Sequence, residues 1–170
     1  MKFKNTIILI ITVVCSLCFY NCSKGHRIKL PADYTNVYVL DKKIEGFLPD
    51  RNKNKFILYA SRLALIDCLP ELYMSPIDSL MEANKEWEMI IYYKGFLRDT
   101  TEVFKITKKF DCQIPVVFNE YDQFLDVNKI DKKWGSMSFF LDKKNTVIGR
   151  GWLVGGPPFI EQFEKTKRLM

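Results

Sequence analysis

Met137-Ser-Phe-Phe-Leu-Asp-Lys-Lys-Asn-Thr-Val-Ile148 is the stretch that decides the fold. Two apolar runs of strand length, 137–141 and 146–149, flank the polar residues 142–145. Asp and Asn favour tight turns because their side chains bond nearby backbone N–H groups. The stretch therefore predicts a β-hairpin that turns at Asp142.

Upstream of the hairpin, short apolar runs alternate with helix patterns. Pro70 and Asp99 mark helix starts, because proline suits a first turn and Asp suits an N-cap. Pro76 falls inside the first helix and is expected to kink or divide it. The expected strands are 36–41, 55–60, 87–93 and 114–118, and the expected helices are 70–84, 99–110, 121–130 and a closing helix after Pro158.

The element order β-α-β-α-β-α-β-β-α predicts the fold class. Such an order indicates an α/β fold with a mostly parallel central sheet, a terminal antiparallel hairpin and helices on both faces. Pro115 is expected to place its strand near a sheet edge. A nucleotide-binding doubly wound fold needs a glycine-rich loop after its first strand, and residues 61–67 contain no glycine. That class of protein is therefore excluded.

Composition favours one folded domain with an ordinary surface. The 170 residues are 48% hydrophobic and 14% aromatic, which suffices for a packed core. Net charge is +6, but Lys2 and Lys4 lie in a segment that is expected to be removed. No dense basic run interleaves with aromatic residues, so nucleic acid is not an expected partner. The paired lysines lie far apart, at 42–43, 108–109, 132–133 and 143–144.

The N-terminus has the pattern of an export signal. Lys2 and Lys4 precede fifteen almost wholly apolar residues, 6–20, which is typical of a signal peptide and shorter than a membrane span. Cys22 then stands where a bacterial lipoprotein carries its lipidated cysteine, although Asn21 replaces the usual small residue before it.

Three segments are expected from this pattern. Residues 1–21 are a signal peptide, residues 22–35 are a lipidated cysteine and a polar tether, and residues 36–170 are the domain. An uncleaved signal anchor and simple secretion are the alternatives. Multiple acyl chains on Cys22 would hold the protein on a membrane without a spanning helix.

Cysteine and histidine spacing indicates no metal site. Cys15 and Cys18 lie in the apolar leader, so only Cys68 and Cys112 belong to the expected domain. That domain contains no Cys-x-x-Cys motif and no Cys/His metal spacing, and His26 is the single histidine of the chain. We therefore expect no cofactor and no metal.

On these residues the chain resembles thioredoxin-like lipoproteins of Bacteroides-type bacteria, in the branch related to peroxiredoxins and to TlpA and ResA. The resemblance covers about residues 54–169. It is carried by the strand Phe56–Ala60, the run Cys68–Leu72, the strand and helix within 114–130 and, most specifically, the hairpin 137–148. It implies a thioredoxin-like fold whose active-site face lies at the carboxyl ends of the parallel strands.

The resemblance also shows what the chain lacks. The family carries Cys-x-x-Cys at the first strand-to-helix turn, where the helix N-terminus lowers the pKa of the first cysteine. Aligned without a gap, Leu65 takes the place of the first cysteine and Cys68 that of the second. Aligned with a gap, Arg62 and Leu65 replace both. We take the ungapped alignment as the working one; in either, the dithiol is absent. Ser136 or Met137 holds the place of the family's cis-proline.

Cys68 is the candidate catalytic residue. It is expected either as a single reactive thiol at a helix N-terminus or as a small buried side chain. Leu65 stands where a peroxidase needs Thr or Ser, so peroxidase chemistry is not expected. Cys112 should lie at the opposite edge of the sheet, too far from Cys68 for a disulfide. Asp67 and Glu71 are expected as ordinary first-turn acids, and the apolar turn 152–158 as the loop that seats the last helix.

The function expected first is a lipid-anchored, non-catalytic module that binds an envelope protein or peptide. The alternative is a monothiol thiol-disulfide oxidoreductase or isomerase that uses Cys68. A structural envelope protein with no binding groove is the third possibility. The expected location is the bacterial cell envelope, on the periplasmic or outer-membrane face, with the membrane as partner through the lipid on Cys22.

Overall fold

Strands and helices alternate along the chain in the computed structural model, which describes residues 25–31, 34–61, 63, 65–66, 69, 77–95, 97–119, 123–130, 136–151 and 159–170. The strands are β1 (Val37–Val39), β2 (Lys42–Lys43), β3 (Asn54–Ser61), β4 (Trp87–Lys94), β5 (Val116–Asn119), β6 (Ser136–Leu141) and β7 (Val147–Gly151). The helices are α1 (Ile77–Ala83), α2 (Thr100–Lys109), α3 (Gln123–Asn128) and α4 (Phe159–Lys167).

One seven-stranded sheet runs in the order β2-β1-β5-β4-β3-β6-β7. The central β3, β4 and β5 are parallel, whereas the other four neighbouring pairs are antiparallel. The α/β fold is confirmed, but the expectation of a mostly parallel sheet is not, because hairpins extend the parallel core at both edges. Pro115 does not mark an edge: it precedes β5, its carbonyl accepts the N–H of Ile91 at 2.9 Å, and β1 lies on the outer side of β5.

The sheet separates two apolar cores because successive strand residues point to opposite faces. In β3, Phe56 and Leu58 enter the larger core, whereas Ile57 and Tyr59 enter the smaller one. The larger core is covered by α1, α2 and α4, and the smaller core by α3 and the segment around Ile28. β3 and β4 are apolar along most of their length because both of their faces are buried.

The hairpin has the turn that its sequence predicts. One carboxylate oxygen of Asp142, Oδ1, accepts the backbone N–H groups of Lys144 at 2.8 Å and Thr146 at 2.7 Å. Asn145 has a φ of +63°, a left-handed conformation that Asn tolerates. This local bonding sets the register in which β6 pairs with β7, and the predicted hairpin is present.

Helical structure begins earlier after β3 than the expected start at Pro70. Leu63, Leu65, Ile66 and Leu69 are already helical. Leu65 and Leu69 are four residues apart and both are buried, which is the spacing of one helix face. Residues 61–69 contain neither glycine nor proline, so nothing in them delays the helix. α1 begins directly after Pro76, while residues 70–76 lie outside the described part of the chain.

Part of the segment expected to be a tether packs on the domain. Ile28 is 1% exposed and lies in the smaller core. Its N–H donates to the carbonyl of Asn145 at 2.8 Å, and Arg27 forms a β-bridge with Thr146. Asn128 closes the contact by bonding both backbone groups of Lys29. The domain therefore begins by residue 25 rather than at 36. No helix among the described residues is long and apolar enough to cross a bilayer.

Candidate functional site

Four strands meet at one edge of the sheet, which we call the carboxyl edge. It is formed by the carboxyl ends of β3, β4 and β5 and by the start of β6. Ser61 pairs with Lys94, Lys94 with Asn119, and Ala60 with Ser136, so these strand ends lie side by side. Ligands of open α/β sheets bind outside such carboxyl ends. The carboxyl edge is therefore the place to look for a site.

The helical residues after β3 present two different sides at this edge. Leu65 is 0% exposed and Leu69 is 1% exposed, and both pack into the larger core. Leu63 is 71% exposed and Ile66 is 38% exposed, three residues apart on the outer side. Two large aliphatic side chains at solvent beside the carboxyl edge form a small apolar surface, which we call the Leu63–Ile66 surface.

The burial of Leu65 bears on the two alignments of the missing dithiol. An attacking thiolate must reach its substrate, so its position has to be accessible. Leu65, which the ungapped alignment puts in that position, is fully buried. The second, less accessible cysteine of a dithiol fits that burial, and Leu63, two residues before Leu65, is already helical. The geometry favours the gapped alignment, in which Arg62 and Leu65 stand in for the two cysteines.

The end of β4 is closely packed at the carboxyl edge. A Cβ added at Gly95 would overlap the ring of Tyr93 and lie 2.9 Å from Oδ2 of Asp99. Tyr93 is 2% exposed and its ring packs edge-on against Phe118, with 5.3 Å between ring centroids. Aromatic packing thus fills the space beside Gly95, and a side chain there would have to displace it.

The opposite end of the same strands, which we call the amino edge, holds a charged pair in which Lys55 is fully buried and Glu88 is partly buried. Lys55 and Glu88 occupy the second positions of β3 and β4 and are register partners. The Lys55 side chain is 2% exposed, and its Nζ donates to the carbonyls of Asp50 at 2.9 Å and Lys53 at 2.8 Å. Oε1 of Glu88 lies 3.8 Å from that Nζ and accepts no hydrogen bond from the described residues.

Burial controls the ionisation of this pair. Loss of hydration raises the pKa of Glu88 above its usual range, against the lowering effects of the Asp50 backbone and Lys55. The same loss lowers the pKa of Lys55, against the raising effect of Glu88. Both directions show that desolvation outweighs mutual attraction. The sequence carries one signal of this pair, which is a charged residue one position inside each of two otherwise apolar strands.

A tyrosine pair fastens the chain before β1 to the smaller core. The hydroxyl oxygens of Tyr34 and Tyr92 are 2.8 Å apart. Burial raises the pKa of Tyr34 to about 12 and that of Tyr92 well above its usual value. The ring of Phe124 stacks on Tyr92 with 5.0 Å between centroids. Both hydroxyls therefore stay protonated at neutral pH, and the pair acts as a structural hydrogen bond.

The predicted site residues fall largely on parts of the chain that are not described. Cys22, Cys68, Asp67, Glu71 and the turn 152–158 lie outside the described residues, so the assignments of Cys22 and Cys68 stay predictions.

Cys112 is described and lies far from the carboxyl edge. It is 7% exposed in the larger core and precedes β5, which places it at the amino edge. Its backbone N–H donates to the carbonyl of Thr107 at 2.8 Å, where α2 ends. Among the described residues, no group of three His, Cys, Asp or Glu side chains could hold a metal ion.

Comparison with known proteins finds relatives by structure and not by sequence. No family model matches the chain, and no curated protein matches it. StoA from Bacillus subtilis is 17% identical with a TM-score of 0.52, over 81% of this chain and 99% of that one. A thiol-disulfide oxidoreductase from Bacteroides fragilis is 11% identical with a TM-score of 0.53, over 78% and 98%. An uncharacterized thioredoxin-like protein from Porphyromonas gingivalis is 11% identical with a TM-score of 0.54, over 85% and 94%. At these identities the likeness shows the fold, which is thioredoxin-like.

Proposed function

We propose that this chain is a lipid-anchored envelope protein whose thioredoxin-like domain binds a protein or peptide partner and does not exchange disulfides. The lipid is carried by Cys22, on the periplasmic or outer-membrane face of a bacterial cell. In this proposal the chain has the fold of thiol-disulfide oxidoreductases but does not carry out their reaction.

The burial of Leu65 carries the non-catalytic part of the proposal. Disulfide exchange by a dithiol needs an attacking thiolate and a second thiol close enough to release the mixed disulfide. At the turn after β3, the gapped alignment replaces these two sulfurs with Arg62 and Leu65, and Leu65 is sealed in the larger core. Cys112, the other cysteine expected in the domain besides Cys68, lies at the amino edge and cannot complete a pair at the carboxyl edge.

The Leu63–Ile66 surface supports a binding role. Exposed aliphatic side chains next to one another lose contact with water when a partner covers them, which stabilises a complex. The surface flanks the carboxyl edge, where ligands of α/β sheets bind. A peptide with apolar side chains is the partner that matches this chemistry.

Insulin reduction with dithiothreitol tests the chemistry. The wild type should show no turnover above the uncatalysed rate. The double substitution Arg62→Cys plus Leu65→Cys restores a Cys-x-x-Cys at the strand-to-helix turn and should introduce activity. Leu65→Cys alone pairs only with Cys68 and should introduce much less, because the new thiol is buried.

Cys68→Ala is the control for the alternative function. Robust turnover by the wild type that disappears in Cys68→Ala would overturn the non-catalytic proposal and establish a monothiol oxidoreductase or isomerase. Activity in Leu65→Cys that equals or exceeds that of the double variant would instead restore the ungapped alignment.

Metabolic labelling with palmitate tests the anchor. Expressed in a bacterial host, the wild type should incorporate label and lose residues 1–21, as intact-mass measurement would show. Cys22→Ser should incorporate none, whereas Cys18→Ser, the matched control, should label like the wild type. Equal labelling of wild type and Cys22→Ser would refute lipidation at Cys22.

A further inference from the structure

The chain enters the domain along the outer side of β7, an edge strand of the sheet. The N–H of Gly25 donates to the carbonyl of Val147 at 3.3 Å, and the N–H of Val147 donates to the carbonyl of His26 at 2.9 Å. Arg27 then bridges to Thr146, and Ile28 is buried in the smaller core. Residues 25–28 are thus held against this edge and are not a flexible lead.

Exposed basic side chains surround the same edge. They are Arg27, Lys29, Lys143, Lys144 and Arg150, and we call them the basic edge. Nε of Arg27 donates to the carbonyl of Lys144 at 2.9 Å, which brings the entering segment and the hairpin turn together. Arg150 lies over the ring of Phe139, with 5.3 Å between its guanidinium carbon and the ring centroid.

Among the described residues, the single charge of Asp142 in the turn offsets only part of the charge on the basic edge. Oδ1 of Asp142 is already bonded to two backbone N–H groups of the turn. Of the described residues, Asp126 is a further carboxylate on this side, because it lies on α3, which bonds Lys29 through Asn128. Among the described residues, Lys29, Lys143 and Lys144 form no ion pair with a carboxylate. α4, which packs on β7, carries two acids, Glu161 and Glu164, and two basic residues, at 165 and 167, and Arg168 follows directly after it.

The opposite edge of the sheet carries a lysine pair in a different setting. Lys42 and Lys43 form β2, the outermost strand on that side. Lys43 pairs with Glu45 at 3.5 Å, and Asp41 pairs with Lys108. Two of the basic residues there, Lys43 and Lys108, each pair with an acid, whereas Lys29, Lys143 and Lys144 at the β7 edge do not pair with a described carboxylate.

We propose that the basic edge lies on anionic lipid headgroups and sets the orientation of the domain on the membrane. The inference rests on the lipidation of Cys22 proposed above. Cys22 is three residues from Gly25, so the chain between them spans at most about 11 Å. A lipid on Cys22 therefore brings the basic edge close to headgroup phosphates, near enough for incomplete screening, since the Debye length is about 8 Å at physiological salt.

This orientation has a consequence for the carboxyl edge. With β7 toward the membrane, the β2 edge points away from it, and the strands run roughly along the surface. The Leu63–Ile66 surface then stays open to a partner from the side. Juxtamembrane basic residues are attracted by anionic lipid in this manner, and salt weakens the attraction.

Lysine footprinting on vesicles tests the proposal with the lipidated protein purified from bacteria. The protein is bound to vesicles of phosphatidylcholine alone or with about 30% phosphatidylglycerol, modified with an amine-reactive reagent and analysed by mass spectrometry. Modification of Lys29, Lys143 and Lys144 should fall about threefold on the anionic vesicles and recover in about 0.5 M NaCl. Lys42 and Lys43 are internal controls and should not change.

A charge-reversal variant sharpens the test. Lys143→Glu plus Lys144→Glu should abolish the protection of Lys29, whereas Lys42→Glu plus Lys43→Glu should leave it as in the wild type. Equal modification on both kinds of vesicle would overturn the proposal, as would equal protection of the two edges. Flotation with neutral vesicles reports the anchor alone, so flotation without protection refutes only the orientation, and loss of flotation refutes the anchor and the orientation together.

Discussion

The two ends of the central strands differ in what they bury. At the carboxyl edge, where a dithiol enzyme of this fold carries its thiolate, the interior position Leu65 is aliphatic and Gly95 is covered by an aromatic ring. At the amino edge, the buried groups are the ions Lys55 and Glu88, held by backbone carbonyls and by each other. Buried ionisable groups are usual at catalytic sites. Here they lie at the end opposite the carboxyl edge, where ligands of open α/β sheets bind, so we expect their burial to serve structure.

The largest effect is expected when the ion pair at the amino edge loses one partner. Lys55→Met leaves the Glu88 carboxylate and two carbonyls without their cation, and should reduce the free energy of unfolding by about 3–5 kcal/mol. Urea denaturation measures it. The double substitution Lys55→Met plus Glu88→Met removes both charges and should recover at least half of that loss. A double variant as unstable as the single one would mean that the charges themselves are required.

The next effect tests the carboxyl edge with a matched pair of leucines. Leu65→Ala creates a cavity in the larger core and should cost about 2–5 kcal/mol of unfolding free energy. Leu63→Ala removes the same atoms from a side chain that is 71% exposed and should change stability by less than about 0.5 kcal/mol. Equal losses in the two variants would show that Leu65 is not the interior residue and would reopen the ungapped alignment.

A smaller effect is expected from Gly95→Ala at the same edge. The new methyl group must displace the buried Tyr93 ring, which should cost about 1–3 kcal/mol in thermal or urea unfolding. Combining Gly95→Ala with Tyr93→Leu should cost less than the two single losses added together, because the leucine vacates the contact. Strict additivity would contradict the close packing of this edge.

The smallest effect is a pH dependence at the amino edge. Because the pKa of Glu88 is raised in the folded state, the fold retains this proton at a pH at which the unfolded chain has lost it. Its contribution to the unfolding free energy therefore falls as pH rises from about 4.5 through the higher pKa of the folded state. Glu88→Gln should remove this decline while Lys55 keeps its carbonyl partners. Parallel stability curves for the two proteins between about pH 4 and 8 would contradict the assigned direction of the shift.

The sequence predicts most elements whose signals are local. The hairpin is predicted because Asp142 bonds the backbone of its own turn. β3 and β4 are predicted because each is a continuous apolar run of strand length. The sequence predicts a helix start at Pro70, later than the structure shows. The reason is that the run from Leu63 to Leu69 has apolar residues on several sides and no clear helical period. The sequence also does not predict that β1 pairs with β5, because that pairing joins residues 80 positions apart in the chain.

The candidate site shows the same division. The sequence alone shows that residues 36–170 contain no Cys-x-x-Cys motif, because this depends only on which residues are present. Which residue replaces which cysteine could not be read, because both alignments satisfy the sequence and only the burial of Leu65 separates them. The Lys55–Glu88 pair was missed for a related reason: each charge looks like a strand-end residue until the register places the two together.

The α/β class, the terminal hairpin and the lack of Cys-x-x-Cys in residues 36–170 follow from the sequence alone, whereas the export-type leader ending at Cys22 stays a prediction. Each of these depends on residues close together in the chain or on composition. Only the packed domain shows that Leu65 is buried, that Lys55 meets Glu88, and that residues 25–28 lie along the start of β7. Those facts depend on contacts between distant segments, and such contacts form only when the whole chain has buried its two cores.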